Sequence, residues 1–153
     1  MTVKKRVNVV SLQLIRESSF LYEPRKCSSP EDAYELFSQF IEKKATEHLV
    51  VACLNTKGEV VNISTVHIGS VNQSLAVPRE IVKTALLCNA VNIIVAHNHP
   101  SNSTEPSRED RRFTKNLLDA CQLLQIGLRD HIIIAADGSY SSMRRDGVFA
   151  EFI

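Results

Sequence analysis

VNIIVAHNHPSNSTEPSRED, residues 91–110, runs from an apolar segment through two histidines into a polar loop marked by two prolines. Residues 91–96 are an apolar run of which residues 93–96 read as a buried strand, and strand geometry of period two lets His97 and His99 point the same way. Asp110, eleven residues after the second histidine, can return from the next element to complete a three-ligand set. Three N/O ligands without a thiolate suit a catalytic zinc, because structural zinc sites usually close all four positions and often use Cys. The fourth position would then hold water.

Working outward, Pro106-Ser107-Arg108-Glu109-Asp110 reads as a helix start. The Ser107 hydroxyl can accept from an amide two or three residues on, for about 1 kcal/mol, and such a cap would turn Asp110 towards the metal. Phe113, Leu117, Ala120, Cys121 and Leu124 form the inner face of this helix. Gly127 is expected just past its end, where a positive φ is commonly needed. Residues 132–135 form a further strand, Asp137-Gly138 a turn and residues 139–143 a short partner strand.

Upstream, residues 7–15 alternate well enough for a strand, and residues 18–30 are loop-like. Ser29-Pro30-Glu31-Asp32 opens a helix, with Ser as cap, Pro in the first turn and acids to meet the helix dipole. Ala33, Leu36, Phe37, Phe40 and Ile41 share one face of it, through to about Lys44. Residues 49–54 and 60–66 are apolar runs on either side of Asn55-Thr56-Lys57-Gly58-Glu59, which suits a hairpin. After Gly69 the chain is polar until Pro78, where a second helix begins. Three helices flanking a mixed sheet give an α/β or α+β class, as one domain over residues 1–153 with its core at about 30–145.

With 44% hydrophobic and 23% charged residues among 153, the composition is that of a soluble globular protein able to bury a core unaided. No apolar run is long enough to span a membrane, and Met1-Thr2-Val3-Lys4-Lys5-Arg6 has no apolar core behind its charges to make a signal peptide. A cytoplasmic address is expected. Cys27, Cys53, Cys88 and Cys121 never form C-x-x-C and read as buried free thiols, outside the metal site. The formal net charge of +1 argues against a dedicated nucleic-acid binder. Arg108, Arg111, Arg112 and Lys115 cluster near the proposed site, a pattern more often belonging to a solvated helix face.

The stretch AHNHPSNSTEPSREDRRFTKNLLDACQLLQIGLRDHIII, with H-x-H-P, P-S-x-x-D, a helix and then D-H before a strand, resembles the RadC-like branch of the JAMM (MPN-plus) metallopeptidase family. TEHLVVACLNTKGEV and VPREIVKTALLCNAVNIIVAHNHP look like the same domain's first strand pair and first core helix, so the resemblance covers roughly residues 30 to 145. It implies a JAMM/MPN domain, a mixed sheet flanked by helices with cytidine-deaminase-like architecture. It also implies a Zn2+ held by His97, His99 and Asp110, whereas an isolated histidine would more often be a core or surface residue. The matching serine, Ser107, would steady the oxyanion in addition to capping. Glu47, an exposed acid at a helix-to-strand junction if taken alone, stands where the family has its general base. Glu59, Glu80 and Glu105 are its competitors, Glu105 lying in the loop after the histidines. Asn98 is usual for this branch, and Asn102 stands where Gly is common. His131 is read as making a structural hydrogen bond and not as a fourth ligand; His48 and His67 fit no pattern. The helix-hairpin-helix region of full-length RadC proteins is not found in this sequence.

The function implied is metal-assisted hydrolysis of an amide, peptide or isopeptide bond in a peptide or protein substrate. The alternative is a non-catalytic DNA-repair-associated or partner-binding module with a structural metal; near-neutral charge counts against DNA, and an intact ligand set with Glu47 and Ser107 counts against a dead scaffold. A zinc deaminase would need P-C-x-x-C, which is absent. Homo-oligomerisation is left open.

Overall fold

A computed structural model describes residues 1–23, 25–41, 45–69 and 77–152. Helix α1 (Pro30–Ile41) precedes the antiparallel pair β1 (His48–Leu54) and β2 (Val60–Ile68). Helix α2 (Pro78–Leu87), strand β3 (Asn92–His99), helix α3 (Arg108–Leu124), strand β4 (Gly127–Ala135), strand β5 (Tyr140–Ser142) and a 3-10 turn (Phe149–Phe152) follow. The five strands form one mixed sheet in the order β2-β1-β3-β4-β5. Only β3 and β4 are parallel, and the 17-residue α3 is the long crossover that a parallel pair requires. This is the expected α/β architecture, a mixed sheet flanked by helices.

Alternation along the strands sorts the core into two layers. Val50, Ala52, Leu54, Ile94, Ala96, Ile132 and Ile134 face Ala33, Leu36, Phe37 and Ile41 of α1. Leu49, Val51, Cys53, Ile93, Val95 and Ile133 face Ile81 and Ala85 of α2 and Phe113, Leu117 and Cys121 of α3. Each fully buried Leu, Ile or Phe contributes about 1.5 to 3 kcal/mol relative to exposure, so both faces of the sheet are fixed. His97 and His99 continue the odd-numbered series of β3 and therefore face the α2/α3 layer.

The hairpin forms as its Asn and Gly suggest: the Asn55 side chain accepts from the Lys57 and Glu59 amides, and Gly58 takes φ 78°. The α1 cap is also as read, with the Asp32 amide donating to Ser29 Oγ at 3.1 Å. The expected continuation of α1 to Lys44 and the polar stretch from residue 70 to 76 lie outside the described residues. Among the helices described, none is long and apolar enough to cross a membrane.

Four expectations are corrected. Residues 7–15 form no strand; Val7, Val9 and Leu12 are at least 79% exposed. Alternation gives a segment a face to bury but does not supply a neighbouring strand to pair with. The left-handed residue ending α3 is Gln125 at φ 59°, not Gly127, which opens β4. A Cβ at Gly127 would come 2.1 Å from the Asn92 side chain, so close approach explains that glycine. Leu124 lies 42% exposed instead of on the inner face, where Thr114 is fully buried. Cys27, Cys53 and Cys121 are buried free thiols as read, while Cys88 is only half-buried.

Candidate metal centre

The C-terminal end of β3 meets the N-terminal turn of α3, and there the three residues singled out as ligands converge. His97 Nε2 lies 3.0 Å from His99 Nε2 and 3.3 Å from Asp110 Oδ1, and His99 Nε2 is 3.2 Å from Asp110 Oδ2. Donors about 2.0 to 2.2 Å from one tetrahedral ion sit roughly 3.3 to 3.6 Å apart, so the observed spacing is close to what a metal ion needs. Among the described residues this is the one group of at least three His, Cys, Asp or Glu side chains positioned to hold a metal.

The outer nitrogens show which tautomer each ring carries. His99 Nδ1 is 2.9 Å from the Ser103 carbonyl, which can only accept, so Nδ1 carries the hydrogen and the neutral ring turns its Nε2 lone pair inward. Two imidazole nitrogens and a carboxylate cannot crowd at 3 Å as acceptors alone; a proton or a cation must lie between them. That donor set fits a metal ion, with both rings neutral and Asp110 supplying the negative charge.

Capping chemistry aims the carboxylate. The Asp110 amide donates to Ser107 Oγ at 3.0 Å, and the Ser107 amide donates back to Asp110 Oδ2 at 2.8 Å, a reciprocal box in which Asp takes the place usually held by Glu. The same oxygen faces His99. Burial pushes the Asp110 carboxyl upward in pKa, but the imidazoles of His97 and His99 outweigh burial and, in the metal-free protein, hold it well below the usual carboxylate range. His99 is raised, chiefly by its hydrogen bond to Asp110 and against the effect of burial.

Glu47 immediately precedes β1, beside the end of β3, and its charge adds to the field that raises His99. Its backbone is gripped by Asn98, whose side-chain Nδ2 donates to the Thr46 carbonyl at 3.0 Å and whose Oδ1 accepts from the His48 amide at 2.7 Å. Asn98 is 3% exposed and points to the sheet face opposite the histidines. The sequence marked Asn98 only as a residue between ligands. Its clamp on the chain either side of Glu47 becomes visible only once β1 is known to pair with β3.

Glu105 is exposed in the loop and 3.4 Å from Arg111. Glu59 belongs to the hairpin and Glu80 pairs with Lys83 on α2. His131 lies in the middle of β4, where one ring nitrogen is 2.7 Å from His97 and the other 2.7 Å from Thr114. Thr114 went unnoticed in the sequence, although its place four residues after Asp110 puts both on one helix face. A cavity of about 550 Å³ at the other end of β3 and β4, lined by Cys27, Arg129, Asp130 and Arg144 among others, contains none of the cluster residues. Concavity and chemistry are separated here, and the convergent donors are the stronger sign of function.

The chain is 40% identical to a UPF0758 protein of Streptococcus suis over 91% of its own length and 56% of that protein's. It is 41% identical to a UPF0758 protein of Methanosarcina mazei over 86% of this chain and 58% of the relative, and 46% identical to one of Shouchella clausii over 80% and 53%. The chain thus spans little more than half the length of these relatives. A family model described as the RadC-like JAB domain matches residues 27–148, a stretch that includes His97, His99 and Asp110, and the chain belongs to that family.

Proposed function

We propose that this chain is a zinc-dependent hydrolase of the JAMM type, a peptidase or isopeptidase acting on a peptide or protein substrate in the cytoplasm. The observation that carries the reading is the convergence of His97 Nε2, His99 Nε2 and the Asp110 carboxylate within hydrogen-bonding distance of one another, with no fourth His, Cys, Asp or Glu joining them among the described residues. Three protein ligands are the number typical of catalytic zinc sites. His97, His99 and Asp110 would hold the Zn2+, which would supply Lewis acidity and make a water acidic enough to attack near neutral pH.

The remaining work falls to the chain's own side chains. The Glu47 carboxylate takes the proton of the attacking water and delivers it to the leaving amine nitrogen. The new C–O bond forms first and places the negative charge on the former carbonyl oxygen; the C–N bond then breaks as the amine nitrogen takes the proton, giving a carboxylate and an amine. Ser107 Oγ accepts from the Asp110 amide and so keeps its own hydrogen for donation to the developing oxyanion. Asn98 holds the backbone on both sides of Glu47, which restrains the part of the chain that carries this carboxylate. The net charge of +1 favours a protein substrate over nucleic acid.

The test is hydrolysis of a panel of fluorogenic peptides and lysine-isopeptide conjugates by zinc-loaded protein beside an equally loaded Glu47→Gln variant. Turnover by the wild type reduced at least about 100-fold in the variant is expected for loss of a general base. Equal turnover in both would remove Glu47 from the mechanism. No turnover of any conjugate by fully loaded protein would count against the peptidase reading.

A further inference from the structure

The buried pair His131 and Thr114 closes a hydrogen-bond chain between two of the metal ligands. His97 Nδ1 lies 2.7 Å from His131 Nε2, His131 Nδ1 lies 2.7 Å from Thr114 Oγ1, and the Thr114 hydroxyl donates to the Asp110 carbonyl oxygen at 2.7 Å. His97, His131 and Thr114 are each 0% exposed, so water cannot substitute for any member.

Counting donors sets the direction of this chain. Thr114 has one hydroxyl hydrogen, and its candidate acceptors are the Asp110 carbonyl at 2.7 Å, His131 Nδ1 at 2.7 Å and Met143 Sδ at 3.5 Å. The carbonyl can only accept, so giving the hydrogen to His131 would leave two oxygens in contact with no hydrogen between them. Thioether sulfur is the weaker acceptor and lies farther off, so the hydrogen goes to the carbonyl. Thr114 Oγ1 must then accept from His131 Nδ1–H, which leaves His131 Nε2 with a lone pair. That lone pair accepts from His97 Nδ1–H, and His97 Nε2 is left as a lone pair facing the cluster. Reversal would place a hydrogen on His97 Nε2 and block the position a metal requires.

We propose that His131 and Thr114 are positioning residues which fix the metal-binding tautomer of His97 and tie its ring to the helix turn carrying Asp110. This rests on the cluster being a metal site. It adds that the site's affinity is set partly by two residues that never touch the ion. Outer partners of ligating histidines commonly govern metal affinity by about 10- to 100-fold.

The experiment measures zinc affinity by competition with a chromophoric chelator, together with 15N spectra of the histidine rings. The proteins are wild type, Thr114→Val, Thr114→Ser and His131→Ala, with circular dichroism as the check on folding. Thr114→Val keeps the branched shape but loses the hydroxyl, and Thr114→Ser restores it. Thr114→Val is expected to bind zinc about 10- to 100-fold more weakly and to show mixed His97 tautomers, with Thr114→Ser close to wild type. Zinc binding by the wild type with unchanged affinity and a single His97 tautomer in folded Thr114→Val would overturn the relay and leave the metal site standing. A wild type without measurable zinc affinity would overturn both.

Discussion

Asp110 and Asp130 are both buried, at 2% and 6% exposure, yet their surroundings drive them in opposite directions. Burial raises the Asp130 pKa even though its carboxylate accepts from the Ser142 hydroxyl at 2.5 Å and from the His131 and Arg144 amides at 2.7 and 3.1 Å. Burial also opposes ionisation of Asp110, but the imidazoles of His97 and His99 overcome it. Asp130 is satisfied by a hydroxyl and backbone amides that fasten β4 to β5 and the turn beyond. Asp110 faces ring nitrogens that can present lone pairs, which is what a cation site needs. A buried carboxylate therefore marks function by the ionisable partners it keeps, more than by burial itself.

Removing each side chain should separate the two roles. Asp110→Ala is expected to weaken zinc binding by roughly 2.5 to 4 kcal/mol, given that about 10 to 16 kcal/mol is shared over four ligands in structural sites, while Asp130→Ala should bind zinc within about twofold of wild type. Chelator competition on both proteins would break the contrast if Asp130→Ala lost zinc as severely. The next largest effect is on folding. Asp130→Ala leaves a buried hydroxyl and amides without their acceptor and should destabilise by about 2 to 3 kcal/mol, read as a lower urea midpoint at unchanged slope.

A subtler test uses pH in metal-free protein. The Asp110 pKa is depressed on folding, so its contribution is present above the unfolded value near 3.9 and is lost as pH falls through the folded value. The Asp130 pKa is raised, so its contribution is greatest below about 3.9 and declines as pH rises through the folded value. Between about pH 3 and pH 6 the stability penalty of Asp110→Asn should therefore grow with pH and that of Asp130→Asn should shrink. Parallel pH slopes for the two variants would contradict the assignment. The smallest effect belongs to Glu31, whose bidentate pairing with Arg145 at 2.6 and 2.8 Å holds its pKa down to about 2. This pair is exposed, so Glu31→Gln should shift the urea midpoint only slightly, and high salt should abolish the difference.

Much of this was readable before the fold was known, for a physical reason. The β3 histidines and the Ser107 cap are local patterns, in which period two and a three-residue hydrogen-bonded box determine direction without any distant partner. The same period failed at residues 7–15, because a strand exists only where another strand's edge receives it. Asn98 and Thr114 were opaque for a related reason: one acts across the β1–β3 pairing and the other through β4, and neither contact has a sequence-local signal. At the end of α3 the helix closed on Gln125 in the left-handed conformation, so the expected glycine served packing against Asn92 instead.

The most direct measurement is the metal content of purified protein by mass spectrometry, for wild type beside His97→Ala after both are supplied with zinc and desalted. The account predicts about one zinc per wild-type chain, as one three-ligand site allows, and its loss from the variant. A wild type that retains no metal, or a His97→Ala protein that retains as much, would contradict it.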